Sequence, residues 1–166
     1  KDKKPSEVEV RFGLHLFSQQ LTTVFSTDHA SAGDYDWISG QVDKNLTLSV
    51  SSYTRGRYAI DLLAEKLPES GKGFTSKTPK GHVLIVTDGL QWLNTSTHYD
   101  FDPREPYATY GPRTKPIRYG QAFPPYACDP LKEKGYEVFF VYTTYNSVGF
   151  GIETYVLPTI VEKMKA

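Results

Sequence analysis

Four consecutive apolar residues, Val83-Leu84-Ile85-Val86, follow a turn segment rich in Gly, Ser, Thr and Pro. A short apolar run bounded by turn residues is typical of a strand buried on both faces of a parallel sheet. Before that turn, residues 57–67 carry apolar side chains at helical spacing, and Pro68 ends the predicted helix. Residues 136–143 repeat the strand pattern after a short helix predicted over residues 131–134. The alternation of helix and strand therefore predicts an α/β fold with a doubly wound sheet.

The two ends of the chain add a hairpin and a helix to this prediction. Apolar and polar residues alternate over residues 8–16, and a second extended run covers residues 21–25. This pattern predicts two strands joined by a turn near residues 18–20. The stretch that follows is rich in Ser, Asp and Gly, and it is predicted to be mostly loop around a short element near residues 35–42. A closing helix is predicted over residues 156–164.

Residues 93–126 show no periodicity and contain six prolines. They are therefore predicted to form a long Tyr/Pro-rich loop insert, and a structureless insert of this length is usually functional or mobile. Tyr together with Arg is the composition of protein contact hot spots. The residues predicted to bind a partner are Tyr99, Phe101, Tyr107, Tyr110, Arg113, Arg118 and Tyr119. The alternative is that the same rings fold back over the sheet.

Charge and length limit the classes of partner. The 19 Lys and Arg residues balance the 19 Asp and Glu residues, so the chain lacks the net positive field that draws proteins to nucleic acid. Protein partners are therefore expected, and nucleic acid is not. No stretch approaches the roughly 20 apolar residues of a membrane-spanning helix. Cys128 is the only cysteine, which fits a reduced thiol or a cysteine whose partner lies outside this chain.

The residues that follow the two predicted parallel strands are where a doubly wound sheet places its ligand site. Asp88 follows the first strand and precedes Gly89, so its carboxylate can hold a hard cation or can cap a nearby turn. The sequence contains no Gly-rich phosphate loop and no Gly-x-Ser-x-Gly elbow, and its four His residues lack metal-ligand spacing. A non-enzymatic function is predicted. The alternatives are a metal-dependent hydrolase or transferase that uses Asp88, and a purely structural domain that binds no cation.

Residues 82–89, His-Val-Leu-Ile-Val-Thr-Asp-Gly, resemble the strand and Thr-Asp-Gly signature of von Willebrand A domains. Residues 54–60 are similar to the loop in which a metal-site Thr precedes a helix, and residues 10–18 resemble the second strand of that family. Residues 128–135 and the Tyr-Thr-Thr-Tyr at 142–145 resemble the closing section of TadE/TadG-like proteins of the tight-adherence pilus. The resemblance covers most of the chain.

This resemblance implies a Rossmann-like, von Willebrand A-like sheet with a metal-ion-dependent adhesion site. Thr54 and Asp88 match two ligand positions for one divalent cation, Mg²⁺ or Ca²⁺. The Asp-x-Ser-x-Ser of the family's first strand is absent from the sequence, so the sheet is expected to lack that strand. Residues 1–166 are then expected to be a single domain, cut from a longer protein that is tethered to the membrane.

The same resemblance implies a function and a location. The function is a binding and assembly module of a bacterial surface pilus or adhesion system, and the partners are pilus or surface components. The location is the periplasm or the cell surface. In such an oxidising compartment, Cys128 is expected to pair with a cysteine outside this piece, and a buried free thiol is the alternative.

Overall fold

The computed structural model describes residues 10–27, 35–45, 54–75, 77–93, 99–110, 118–143 and 155–163. The chain divides into two compact units, one of Lys1–Leu16 with Leu21–Ser51 and one of Phe17–Gln20 with Ser52–Ala166. Helices and small sheets both occur in it, which confirms the α/β class.

The described elements of the first unit are a strand pair, except for its residue Phe17, and one helix. Strands β1 (Leu14–Phe17) and β2 (Leu21–Phe25) pair with each other, as the sequence predicts. Helix α1 (Tyr35–Asn45) is a full helix of 11 residues, where the sequence predicted mostly loop around a shorter element. Asp36 lies in its first turn and Lys44 in its last, and the helix dipole favours both charges. A prediction based on apolar periodicity does not take these charges into account.

The second unit holds the remaining elements. In chain order they are α2 (Gly56–Lys66), β3 (His82–Thr87), β4 (Leu90–Leu93), β5 (Tyr107–Tyr110), β6 (Arg118–Ala122), a 3₁₀ turn (Pro125–Cys128), α3 (Asp129–Glu133), β7 (Glu137–Tyr142) and α4 (Leu157–Lys163). The predictions for α2, β3, α3, β7 and α4 are confirmed, with ends that differ by one or two residues. Gly135 has a φ of +81°, a conformation that suits Gly at the end of a helix, and Pro158 lies in the first turn of α4.

Strands β3 and β7 form a parallel pair that is buried on one face only. Ile85 is 4 % exposed, whereas its neighbours Leu84 and Val86 are 62 % and 56 % exposed. Phe139 and Val141 lie opposite them on β7 and are also exposed. The prediction of a strand buried on both faces is therefore wrong, because an unbroken apolar run does not reveal which of its faces is covered. Among the described strands these two pair only with each other.

Strands β4, β6 and β5 form an antiparallel sheet in that order. The prediction of a structureless insert over residues 93–126 is therefore wrong. Pro106 precedes β5 and Pro124 follows β6, so neither proline removes a hydrogen bond from the ladder. Strands β5 and β6 were not predicted because their buried positions hold Ala and Gln side chains rather than large apolar ones, as the exposures of Ala108 and Gln121 show.

Two packed regions support this sheet and the helices. Helix α4 covers the antiparallel sheet, and the core between them consists of Leu90, Ala108, Ala122, Val156 and Ile160. Helix α2 packs on the 3₁₀ turn and α3. Cys128 lies in that turn, is 1 % exposed, and has its thiol pKa raised to about 11 by burial. Its position favours the buried free thiol over a disulfide to another piece.

Candidate functional site

Thr54 and Asp88, the predicted cation ligands, lie on adjoining segments. Asp88 follows β3, and its Oδ1 accepts a hydrogen bond from the Leu90 N–H at 3.0 Å. The Thr54 carbonyl oxygen accepts one from the Trp92 N–H on β4, also at 3.0 Å. Burial raises the pKa of Asp88, and the hydrogen bond from Leu90 partly offsets that effect. The Asp88 carboxylate therefore caps the turn between β3 and β4, in which Gly89 has a φ of +73°.

A metal centre needs more ligands than this pair supplies. Ca²⁺ and Mg²⁺ take about six or more oxygen ligands, some of them from water. In the ranges that the structure describes, no group of three or more His, Cys, Asp and Glu side chains could hold a metal ion. The cation at Thr54 and Asp88 stays a prediction.

A buried ion pair anchors a second and better defined site. Arg55 Nε donates to Asp100 Oδ2 at 2.9 Å, and the Asp100 side chain is fully buried. The Arg55 guanidinium also lies 4.2 Å from the centre of the Tyr58 ring, at cation–π distance. A buried carboxylate is costly unless it is paired, so this contact fixes where the loop that begins at Tyr99 meets α2.

Two buried glutamines hold the same loop, residues 99–106, from the sheet beneath it. Gln91 on β4 donates its side-chain amide to the Asp100 carbonyl at 3.1 Å. Gln121 on β6 accepts from the Asp102 N–H at 3.1 Å and donates to the Asp102 carbonyl at 2.6 Å. The loop is therefore positioned by hydrogen bonds to fixed side chains, and its conformation does not depend on its own sequence alone.

Within the loop, Asp102 and Arg104 form a bidentate ion pair. Arg104 Nε lies 2.8 Å from Asp102 Oδ1, and Nη2 lies 2.6 Å from Oδ2. These bonds lower the pKa of Asp102 to about 2. Because the Arg104 side chain is 86 % exposed, the pair adds little to the stability of the fold, and its effect is to shape the turn.

An open cleft of about 520 Å³ lies between the start of α2 and this loop. Its lining is made by Arg57, Tyr99, Phe101, Asp102, Pro103, Arg104 and Tyr126. The Arg57 guanidinium lies 5.0 Å from the Tyr99 ring centre and 5.4 Å from the Tyr126 ring centre. Its Nη1 donates to the Tyr99 carbonyl at 3.0 Å. We call this feature the Arg57 cleft.

A ring cluster of Phe101, Tyr107 and Tyr119 adjoins the Arg57 cleft. The ring centre of Phe101 lies 5.2 Å from that of Tyr107 and 4.9 Å from that of Tyr119. Phe101 belongs to both features, so the cleft and the cluster form one continuous surface. Four of the predicted partner-binding residues, Tyr99 and the three of this cluster, therefore come together.

The other predicted partner-binding residues are less defined. Tyr110 and Arg118 are opposite each other where β5 and β6 pair, and their side chains lie outside the described part of the chain. Arg113 lies outside the described residues altogether.

Sequence reasoning missed the contribution of α2, which brings Arg55, Arg57 and Tyr58 to the site. One signal was present in the sequence, because basic residues at the start of a helix oppose its dipole and are disfavoured there. Helix α2 carries no acidic residue in its first turn, and Arg55 and Arg57 flank its first residue. Such a placement indicates that another contact compensates for the charge, and here the compensation comes from Asp100 and the Tyr rings.

Comparison with known proteins assigns this chain to no family. No family model matches this chain, and no curated protein or solved structure matches it. The resemblance to von Willebrand A domains and TadE/TadG-like proteins stays a prediction. None of the described helices is long and apolar enough to cross a membrane.

Proposed function

We propose that this chain is a non-enzymatic protein-binding module whose contact surface is the Arg57 cleft together with the adjoining ring cluster. One observation carries the proposal: exposed Tyr and Arg side chains are mounted on a loop that Arg55, Gln91 and Gln121 hold in place. Tyr and Arg dominate the energetics of protein interfaces, and a surface that is ordered before binding loses less entropy when the partner arrives.

The protonation of the cleft supports recognition through hydrogen-bond donors. Burial raises the pKa of the Tyr99 hydroxyl, and burial likewise raises the pKa of Tyr126. Both hydroxyls are therefore neutral at physiological pH. The Tyr99 hydroxyl donates to Asp61 on α2 at 3.2 Å, which also orients its ring. The single Tyr99 O–H is used on Asp61, so the donors that the lining offers to an incoming acceptor are the Tyr126 hydroxyl and the Arg57 and Arg104 guanidinium groups.

The proposed partner class follows from the resemblance to TadE/TadG-like proteins. On that basis the partner is a component of a bacterial surface pilus or adhesion system, and binding occurs in the periplasm or at the cell surface. The proposal includes a larger, von Willebrand A-like doubly wound sheet around β3 and β7. In sheets of that kind helices cover both faces, which would account for the exposed row of Leu84, Val86, Phe139 and Val141.

Site-specific photo-crosslinking tests the proposed contact surface. A photoreactive phenylalanine analogue replaces Tyr107 in the protein expressed in its source cells, and the adduct is identified by mass spectrometry. We expect a discrete adduct with one protein. Phe74 is the matched control, because it is an exposed aromatic residue outside the surface, in the turn segment before β3. An adduct from position 74 and none from position 107 would refute the proposal.

A further inference from the structure

We infer that the Arg57 cleft binds an acidic side chain, Glu or Asp, of a peptide segment in the partner. This inference rests on the proposed function and names the chemistry of the partner that fits the cleft. The observation behind it is the difference between Arg57 and the two arginines next to it.

Two arginines, Arg57 and Arg104, line the cleft, Arg55 lies beside it, and two of these three arginines are paired with carboxylates. Arg55 is bonded to Asp100 and Arg104 to Asp102. Arg57 has no carboxylate within ion-pair distance among the described residues, and its Nη1 donates instead to the Tyr99 carbonyl. A guanidinium carries five N–H donors, so Arg57 can still bind a carboxylate through two of them.

The Tyr rings prepare Arg57 for this role. A long cationic side chain ordinarily loses rotamer freedom when it binds, which lowers affinity. Here the guanidinium is already within cation–π distance of Tyr99 and Tyr126 and is tied to the loop by its bond to the Tyr99 carbonyl. Part of that entropic cost is therefore met before the ligand arrives.

The charge of the lining favours a monoanion. Arg57 and Arg104 contribute two positive charges and Asp102 one negative charge, so the lining carries a net charge of +1. A carboxylate balances that charge. A phosphate dianion would exceed it and would meet repulsion from Asp102, whose lowered pKa keeps it ionised.

The ring cluster explains why the carboxylate belongs to a peptide. Phe101 lines the cleft and also contacts Tyr107 and Tyr119, so an apolar aromatic surface continues from the charged pocket. A free small carboxylate would use only Arg57. A peptide with an apolar residue next to its Glu or Asp would use both surfaces at once.

Peptide titration followed by NMR tests the inference on the full chain. The probes are an acetylated, amidated hexapeptide containing Glu-Phe, the same peptide with Gln-Phe, and inorganic phosphate. We expect the Glu peptide to shift the Arg57 Nε–Hε resonance in a saturable manner. Replacing Glu by Gln should weaken binding by at least about tenfold, the factor that corresponds to 1.4 kcal/mol.

Two variants and one control define the residue responsible. Arg57→Gln should lose the Glu-peptide response, and Arg57→Lys should recover only part of it because a Lys ammonium cannot form the two-pronged contact. Lys72→Gln removes the same charge from an exposed position outside the cleft and should bind normally. Thermal unfolding of each variant shows that it is folded.

Three outcomes would overturn the inference: no saturable shift at Arg57, tighter binding of phosphate than of the Glu peptide, or equal weakening by Lys72→Gln. Failure here is distinguishable from failure of the proposed function. A crosslinked adduct from position 107 that persists in the Arg57→Gln variant would retain the protein-binding surface and reject the carboxylate.

Discussion

Gln91 and Gln121 lie directly opposite each other on strands β4 and β6, and both donate their side-chain amides to carbonyls of the same loop. Each is 1 % exposed. They differ in how many of their side-chain polar atoms have a hydrogen-bond partner. Gln121 uses its oxygen and its nitrogen on Asp102, whereas the Gln91 Oε1 is buried and has no hydrogen-bond partner among the residues that the structure describes.

This difference predicts unequal costs for the two alanine substitutions. Gln121→Ala should lower the free energy of unfolding by about 2–3 kcal/mol, because it also leaves the Asp102 N–H without its partner. Gln91→Ala should cost less, since it removes one hydrogen bond and one unsatisfied acceptor together. Urea unfolding measures both values. A cost for Gln91→Ala equal to that for Gln121→Ala would contradict the unequal contributions of the two glutamines to holding the loop.

Gly56 is expected to tolerate no side chain. A Cβ built there would lie 2.3 Å from two carbons of the Phe123 ring, and overpacking of a core usually costs about 1–3 kcal/mol. Gly40→Ala in α1 is the matched control. Nothing lies within 4 Å of a Cβ at that position, and Ala is favoured over Gly in a helix by about 1 kcal/mol. Thermal melting should therefore show Gly56→Ala less stable and Gly40→Ala more stable than the parent chain.

The Asp102–Arg104 pair predicts a pH dependence of the loop. The folded-state pKa of Asp102 lies at about 2, below its ordinary 3.8. The carboxylate therefore stabilises the folded loop fully above about pH 3.8, and this contribution disappears as the pH falls through about 2.

The Arg104→Gln variant isolates this effect. It should shift the protonation of Asp102, and the accompanying changes in the NMR signals of Phe101, to higher pH. Identical titration curves for the variant and the parent chain between about pH 3.8 and about pH 2 would show that Arg104 does not set the pKa.

The Asp88→Asn variant distinguishes a role of Asp88 in capping the turn from a role as a cation ligand. Burial raises the folded-state pKa of Asp88, so the ionised side chain costs stability as the pH rises through and above its ordinary 3.8. Asn keeps an oxygen for the Leu90 N–H without the charge. The variant should therefore be at least as stable as the parent chain at pH 7.

The same pair of proteins tests the proposed cation. Millimolar Mg²⁺ or Ca²⁺ raises the melting temperature of a protein that binds it in the folded state. An increase in the parent chain that is lost in Asp88→Asn would establish Asp88 as a ligand. Turnover of ester, phosphoester or peptide substrates that depends on metal and on Asp88 would instead support a hydrolase or transferase.

The exposed face of β3 predicts a contrast between neighbouring residues. Leu84→Thr should change the free energy of unfolding by no more than about 0.5 kcal/mol, because the Leu84 side chain is mostly solvated. Ile85→Thr places a hydroxyl in the core on the opposite face and should cost about 2–4 kcal/mol. Circular dichroism in urea measures both. A large cost for Leu84→Thr would mean that its face is covered in solution.

The sequence by itself determined the elements whose signals are local. Helix α2 follows from helical spacing that ends at Pro68. Strands β3 and β7 follow from apolar runs that have turn residues on both sides. The end of α3 follows from Gly135. Composition also identified Tyr99, Phe101, Tyr107 and Tyr119 as surface residues of interest, because Tyr and Phe cluster in one segment.

Only the tertiary structure decided which segments pair and which side chains meet. The antiparallel sheet depends on pairing between distant residues, and the buried side chains of β5 and β6 are small or polar, so no local periodicity predicts these two strands. The exposed face of β3 depends on what lies against it, which an apolar run cannot specify. Arg57 reaches the Tyr99 carbonyl across 42 residues of sequence, because the ion pair of Arg55 with Asp100 brings the loop to the start of α2.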